Sequence, residues 1–235
     1  SKVVYHNKLG TQGERMARVC AIAKAIGQQV GGDALAAKAE QAARLAKTDL
    51  LTDMVGEFPE LQGIMGGYYA RHDGLSTDVA EAIEEHYKPR FAGDELPRNN
   101  VGLVVALADK LETLVGMFGI GNVPTGDKDP FALRRHALGV VRMLVEARLE
   151  LNFFELTRQA LTVFPAAVVQ DKSVELDEFL VERLRGYFRE AGFSIAEVDA
   201  AIFAQKLGHW SSIPARLQAV RAFAALPEAP ALAAA

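Results

Sequence analysis

Apolar residues recur every three to four positions along most of the chain, and no run alternates polar and apolar for long enough to read as a strand. From Thr11, TQGERMARVCAIAKAIGQQVGG sets Met16, Val19, Cys20, Ala23 and Ile26 on one helical face and stops at a glycine pair. Asp33 can cap the following DALAAKAEQAARLAK, which is rich in strong helix formers. TDLLTDMVGEF continues with Leu50, Leu51, Met54 and Val55 apolar. Pro59 then interrupts, and PELQGIMGGYYAR reads as a helical piece weakened by glycines. After an RHDG turn, STDVAEAIEEHYK carries Val79, Ile83 and Tyr87 inward, and PRFAGDELPRNN is a loop with prolines near both ends. VGLVVALADKLETLVGMFGIG is the most apolar segment, yet it holds Asp109 and Lys110 in mid-helix. Later helices are expected in DPFALRRHALGVVRMLVEARLEL, NFFELTRQALTVF, VELDEFLVERLRGYFREAGF, IAEVDAAIFAQK and IPARLQAVRAFAAL. In the third of these, Leu176, Phe179, Leu180, Leu184, Tyr187 and Phe188 share one buried stripe. The expectation is an all-α fold, with seams at Gly119 to Asp129 and at Pro165 to Ser173.

With 235 residues, half of them apolar, the chain can bury one sizeable core or two modest ones. A net charge of −4 argues against bulk attraction to a polyanion. Residues 1–129 hold 14 basic and 18 acidic side chains, whereas 130–227 hold 12 and 11, so any polyanion contact must use a local patch, most plausibly in the second half. The single cysteine, Cys20, excludes an internal disulfide and fits a reducing compartment; its apolar helical surroundings make it a buried, inert thiol. No apolar run has a membrane-spanning length, and the first residues lack the long apolar region of a signal peptide. The opening on Ser1 and the closing PALAAA read as cuts in a larger polypeptide.

GIGNVPTGDKDPFALRRHALGVVR, residues 119–142, looks at first like a phosphate-cradling loop. Its glycines (Gly119, Gly121, Gly126) have the wrong spacing for a P-loop, Asp129 follows Lys128, and the preceding element is a helix. The pattern fits a helix stop at Gly119 and Gly121, then a start with Asp129 as N-cap and Pro130 at the first helical position. Arg134, Arg135 and His136 are left over. Either the arginines pair with acids such as Asp127 or Asp129, or paired guanidinium groups hold a carboxylate or phosphate. Arg142, seven residues from Arg135, shares its face.

His6, His72, His86, His136 and His209 are far apart in sequence, and no HExxH-like pair joins them. The order His6, Thr48-Asp49, His86, Asp109 resembles the HD superfamily of metal-dependent phosphohydrolases, whose pattern has a first His, an adjacent His-Asp pair and a distant Asp. Thr48 stands where the paired histidine belongs, so the resemblance implies an HD-like fold with a vestigial metal site. His72-Asp73 carries the right letters in a turn and is a decoy. A working HD-type phosphohydrolase acting on a nucleotide is the alternative.

Longer stretches carry a more specific likeness. LAKTDLLTDMVGEFPELQGIMGGYYARHDG, VAEAIEEHYKPRFAGDELP, ALADKLETLVGMFGIG, PTGDKDPFALRRHALGVVRML, ELDEFLVERLRGYFREAGF and ARLQAVRAF closely resemble the bacterial, heterotetrameric glycyl-tRNA synthetase β subunit, from about Tyr5 onward. The resemblance implies a C-terminal portion of that subunit: an HD-like helical domain over 1–125, connecting helices over 126–165, and the truncated start of a helical anticodon-binding domain over 166–235. It implies a cytoplasmic, non-catalytic tRNA-recognition or scaffold module. Its partners are the α subunit and tRNA(Gly), with no membrane role. Glycine activation, with ATP and Mg, takes place on the α subunit, and no cofactor is expected in this portion. Lys88, Arg90, Arg134, Arg135, Arg142, Arg183, Arg185 and Arg189 are the tRNA-contact candidates. Tyr187 and Phe188 beside the last three either stack on unpaired bases or belong to the core. A pure scaffold that never touches RNA is a third reading, favoured for the acidic first half.

Overall fold

The computed structural model describes residues 2–203 and 208–229. A short antiparallel hairpin, β1 (Val4–His6) and β2 (Gly10–Thr11), leads into α1 (Gln12–Leu45). Ten α-helices follow one another among the described residues: after α1 come α2 (Asp53–Glu57), α3 (Ile64–His72), α4 (Thr77–Glu85), α5 (Asn100–Gly119), α6 (Leu133–Glu146), α7 (Phe153–Leu161), α8 (Ser173–Glu190), α9 (Ile195–Phe203) and α10 (Ile213–Ala224). The fold is all-α, as the periodicity implies; the tiny hairpin is the one element the pattern does not announce. None of these helices is long and apolar enough to cross a membrane. The expected continuation of α9 through Lys206 and the terminal PALAAA run lie outside the described residues.

Local chemistry sets the helix ends. Thr11 and Glu14 form a reciprocal capping box at the start of α1, and Asn99 and Asn152 cap α5 and α7 through their side-chain oxygens. The Gly31-Gly32 pair breaks α1 into two pieces where the sequence places a stop, with Gly32 at a positive φ of 70°. Asp129 is a cap, but not at the expected position. Ala132 occupies the N-cap site in a left-handed conformation, Pro130 lies in a turn ahead of α6, and the Asp129 carboxylate reaches forward to the amides of Leu133 and Arg134 at 2.8 and 2.9 Å.

α5 is the axis of the molecule. Every residue from Val101 to Gly119 is buried, because α1, α4, α6, α7 and α8 surround it. Apolar residues therefore appear all round this helix rather than in one stripe. Its end is fixed by a close approach: a side chain at Gly119 would meet Val169 at 2.1 Å, and Gln170 donates to the Gly119 carbonyl. Leu176, Leu180, Leu184 and Phe188 of α8 form the predicted stripe, with Phe179 packed on Phe118. The buried apolar side chains make one connected core from Leu9 to Leu217, crossing both sequence seams.

Candidate functional site

Two neighbouring groups of ionisable residues meet at α5. The inner group lies between α1 and α5. Arg15 reaches across to place a guanidinium nitrogen 3.1 Å from the Asp109 carboxylate and another 3.0 Å from Glu112, and it donates to the Thr113 hydroxyl at 2.9 Å. Arg18, one helical turn on, donates to Glu112 at 2.8 Å and to the Leu9 carbonyl at 3.1 Å. Arg15 and Arg18 share a face because they are three residues apart. Lys47 completes the group: its Nζ lies 4.0 Å from Asp109 and 3.5 Å from the centre of the Tyr87 ring. All of these side chains are buried, so each charge needs a partner.

The electrostatics follow from that packing. Burial alone would raise the Asp109 carboxyl, but Arg15 and Lys47 beside it hold it well below the usual carboxylate range. Burial pushes the Lys47 amine down to about 7, against the pull of Asp109. Burial, with Lys47 nearby, also lowers His86 far below its ordinary value. His86 Nδ1–H donates to the Ile83 carbonyl at 2.7 Å, which fixes the neutral tautomer, and its buried Nε2 has no hydrogen-bond partner.

The candidate ligands of the HD pattern occupy distinct settings. Asp49 is buried, but one carboxylate oxygen accepts from the amides of Gly63 and Gly66 at 2.6 and 3.1 Å, so it caps α3 from a distance. Thr48 is exposed and bonds back to the Leu45 carbonyl. His6 sits in the hairpin, bonded by the Lys8 amide, next to Asn122 and against the Phe131 ring edge. His72 is the exposed last residue of α3 and Asp73 caps it, so the expected turn begins only at Asp73. No group of three or more His, Cys, Asp or Glu among the described residues is placed to hold a metal ion.

The outer group lines a cleft of about 530 Å³ between α4, α6 and the connection from His86 to Arg90. Lys110, next to Asp109 in sequence, points the other way. Its stem runs past Gly139, where a Cβ would come within 2.6 Å of Lys110 Cε, and its Nζ donates to the Tyr87 carbonyl at 3.3 Å. Burial lowers the Lys110 amine to about 8 and His136 to about 4. His136, Arg135, Lys88 and Arg90 complete the basic lining.

Most of the basic residues expected to reach RNA are engaged within the chain. Lys88 pairs with Glu85 and Glu95, Arg90 with Asp94, and Arg185 with Glu182 and Asp199. Arg142 pairs with Glu146 and donates to the Asp94 carbonyl. Arg134 donates to the Gly126 carbonyl rather than pairing with Asp127 or Asp129. Arg183 lies over the Phe179 ring. Arg135 and Arg189 are exposed and make no ion pair with the described residues. Phe188 is core, while Tyr187 is half-buried and donates its hydroxyl to Glu146. Cys20 is only partly buried, near the Glu40 carbonyl, with burial pushing its thiol up.

Fold and site together define an all-α domain wrapped round a buried, self-compensated ion network, with a basic cleft on its flank. The profile of the glycyl-tRNA synthetase beta subunit family matches residues 1–203. The chain belongs to that family. Among similar proteins, the "Glycine--tRNA ligase beta subunit" of Polaromonas naphthalenivorans is 68% identical over 234 residues, and that of Thiobacillus denitrificans is 64% identical over 235. Each alignment takes in all of this chain and 33% of the relative, so the chain spans about a third of the length of the curated relatives it matches.

Proposed function

We propose that the chain is a non-catalytic scaffold and tRNA-recognition portion of a glycyl-tRNA synthetase β subunit. It supports the ATP- and Mg-dependent attachment of glycine to tRNA(Gly), which takes place on the α subunit in the cytoplasm. In this reading residues 1–125 form an HD-like domain in the C-terminal part of the subunit, 126–165 connect, and 166–235 begin a helical anticodon-binding domain. Arg15 and Lys47 carry the non-catalytic half of the proposal. They stand beside Asp109 where a divalent cation would have to compete with a guanidinium and an amine. The residues left for a metal fit poorly: His86 keeps a bare Nε2, but Asp49 spends an oxygen on two backbone amides and Asp109 is already paired. The phosphohydrolase alternative finds no support in these partners or in the relatives.

Arg135 carries the RNA half, as an exposed cation with no acid of its own. The test is tRNA(Gly) binding by full-length β across a salt series, wild type against Arg135→Glu. Weaker binding with a slope shallower by about one unit supports a phosphate contact. Unchanged affinity and slope in a folded variant leave the scaffold role alone standing.

A further inference from the structure

We propose that the cleft flanking α5 and α6 is a phosphate-binding site, with Lys110, His136 and Arg135 as its donors. Lys110 is the central observation. It is only 3% exposed, it lines the inner wall of the cleft, and a lysine carries three N–H donors of which the Tyr87 carbonyl takes one. Its neighbour Asp109 turns to the opposite side of the helix, into Arg15. Asp109 and Asp94 pull on the Lys110 amine from a distance, but no carboxylate among the described residues contacts it, and an entering anion supplies that contact. Gly139 has a plain structural reason in this arrangement, since a side chain there would displace the Lys110 stem.

His136 and Arg135 converge on the same space from the first turn of α6. The His136 imidazole is half-buried and makes no hydrogen bond among the described residues. Arg135 stands at the rim with its planar fork of donors open to solvent, the geometry that matches paired phosphate oxygens. The acids of the cleft do not cancel these groups. Glu84 is held by Arg71 at 2.8 Å, and Glu85 is saturated by Lys88, the Arg98 side chain and the Arg98 amide. Glu60 stays exposed at the mouth. The space of about 530 Å³ is larger than a lone phosphate and admits a nucleotide carrying one. A free nucleotide and an RNA strand present the same phosphate oxygens, so the site is defined by that group. The inference does not depend on the tRNA role proposed above.

Full-length β subunit is titrated with inorganic phosphate and with AMP by calorimetry, and His136 is followed by NMR. The expected result is saturable binding of one phosphate group per chain that shifts the His136 ring signals. Lys110→Met should weaken it by on the order of tenfold, and Arg135→Gln less. Competition by a short RNA identifies a backbone phosphate as the natural source; binding of AMP without such competition identifies a free nucleotide. Because Arg135 is exposed, its variant keeps the test valid even if Lys110→Met misfolds. Saturable phosphate binding that is unchanged in Arg135→Gln and in folded Lys110→Met, or its absence at millimolar ligand, overturns the proposal. Phosphate binding present in wild type but lost in Lys110→Met and Arg135→Gln, with tRNA(Gly) affinity intact in both, would leave the cleft assigned and the RNA role refuted for it.

Discussion

Asp109 and Lys110 are adjacent in one buried helix, yet they belong to different kinds of site. Around Asp109, every charge has an opposite partner in reach: Arg15, Arg18 and Lys47 stand against Asp109 and Glu112. Beside Lys110, its own amine, His136 and Arg135 meet no carboxylate in contact among the described residues, whereas Lys88 and Arg90 of the same cleft are paired, and the space beside them is open. The helical twist that separates successive residues by about 100° makes this possible. The lesson is that a buried charge is informative only through its partners. A matched set holds helices together, whereas an unmatched one is held ready for a ligand.

The largest expected effect breaks the matched side. Arg15→Met leaves Asp109 with only the more distant Lys47 and Glu112 with only Arg18, and unfolding by urea should show a loss of about 3–5 kcal/mol. A loss below about 1 kcal/mol would mean that the network is decorative.

Acid should act next, through the histidines. His136 is held down to about 4 in the fold, and His86 is also lowered. An unfolded imidazole takes its proton near pH 6.5, before the folded one does, so the unfolded state binds more protons below that pH. Stability should therefore fall as pH drops from about 6.5 to 4, by roughly 3 kcal/mol for His136 alone. His136→Gln should flatten part of this slope, and an unchanged slope would deny that the imidazole is kept neutral.

The smallest effect sharpens the contrast. Lys110→Met keeps the stem beside Gly139 and removes a cation that no carboxylate contacts, so stability should stay within about 1 kcal/mol of wild type. A loss as large as that of Arg15→Met would place Lys110 in the matched network instead.

Much of the fold is legible in the residues. The apolar run of α5, the stripe of α8 and the glycine stop at Gly31-Gly32 all act locally, so sequence order suffices. The site is less legible because its roles are set across the fold. Lys47 reads as a surface lysine at the end of an amphipathic helix until Tyr87 and Asp109 close over it. Asp49 has the order of a metal ligand, but the amides that occupy it lie 14 and 17 residues further on. Arg142 pairs with Glu146 four residues on, a partner legible on its own helix, but only the packed loop brings the Asp94 carbonyl to it. One signal was available: three charged residues, Asp109, Lys110 and Glu112, inside an otherwise apolar helix must find partners from other helices. Arg15 and Arg18, spaced to face it, are the natural candidates.

Arg15, with Lys47 beside it, supplies positive charge at Asp109, the place where a metal ion would stand in the HD-like reading proposed above. The most direct measurement is calorimetric titration of Mn²⁺ into full-length β subunit, with Asp49→Ala and Asp109→Asn alongside. No saturable heat that depends on either aspartate is expected. One tightly held ion per chain, lost in both variants, would contradict it.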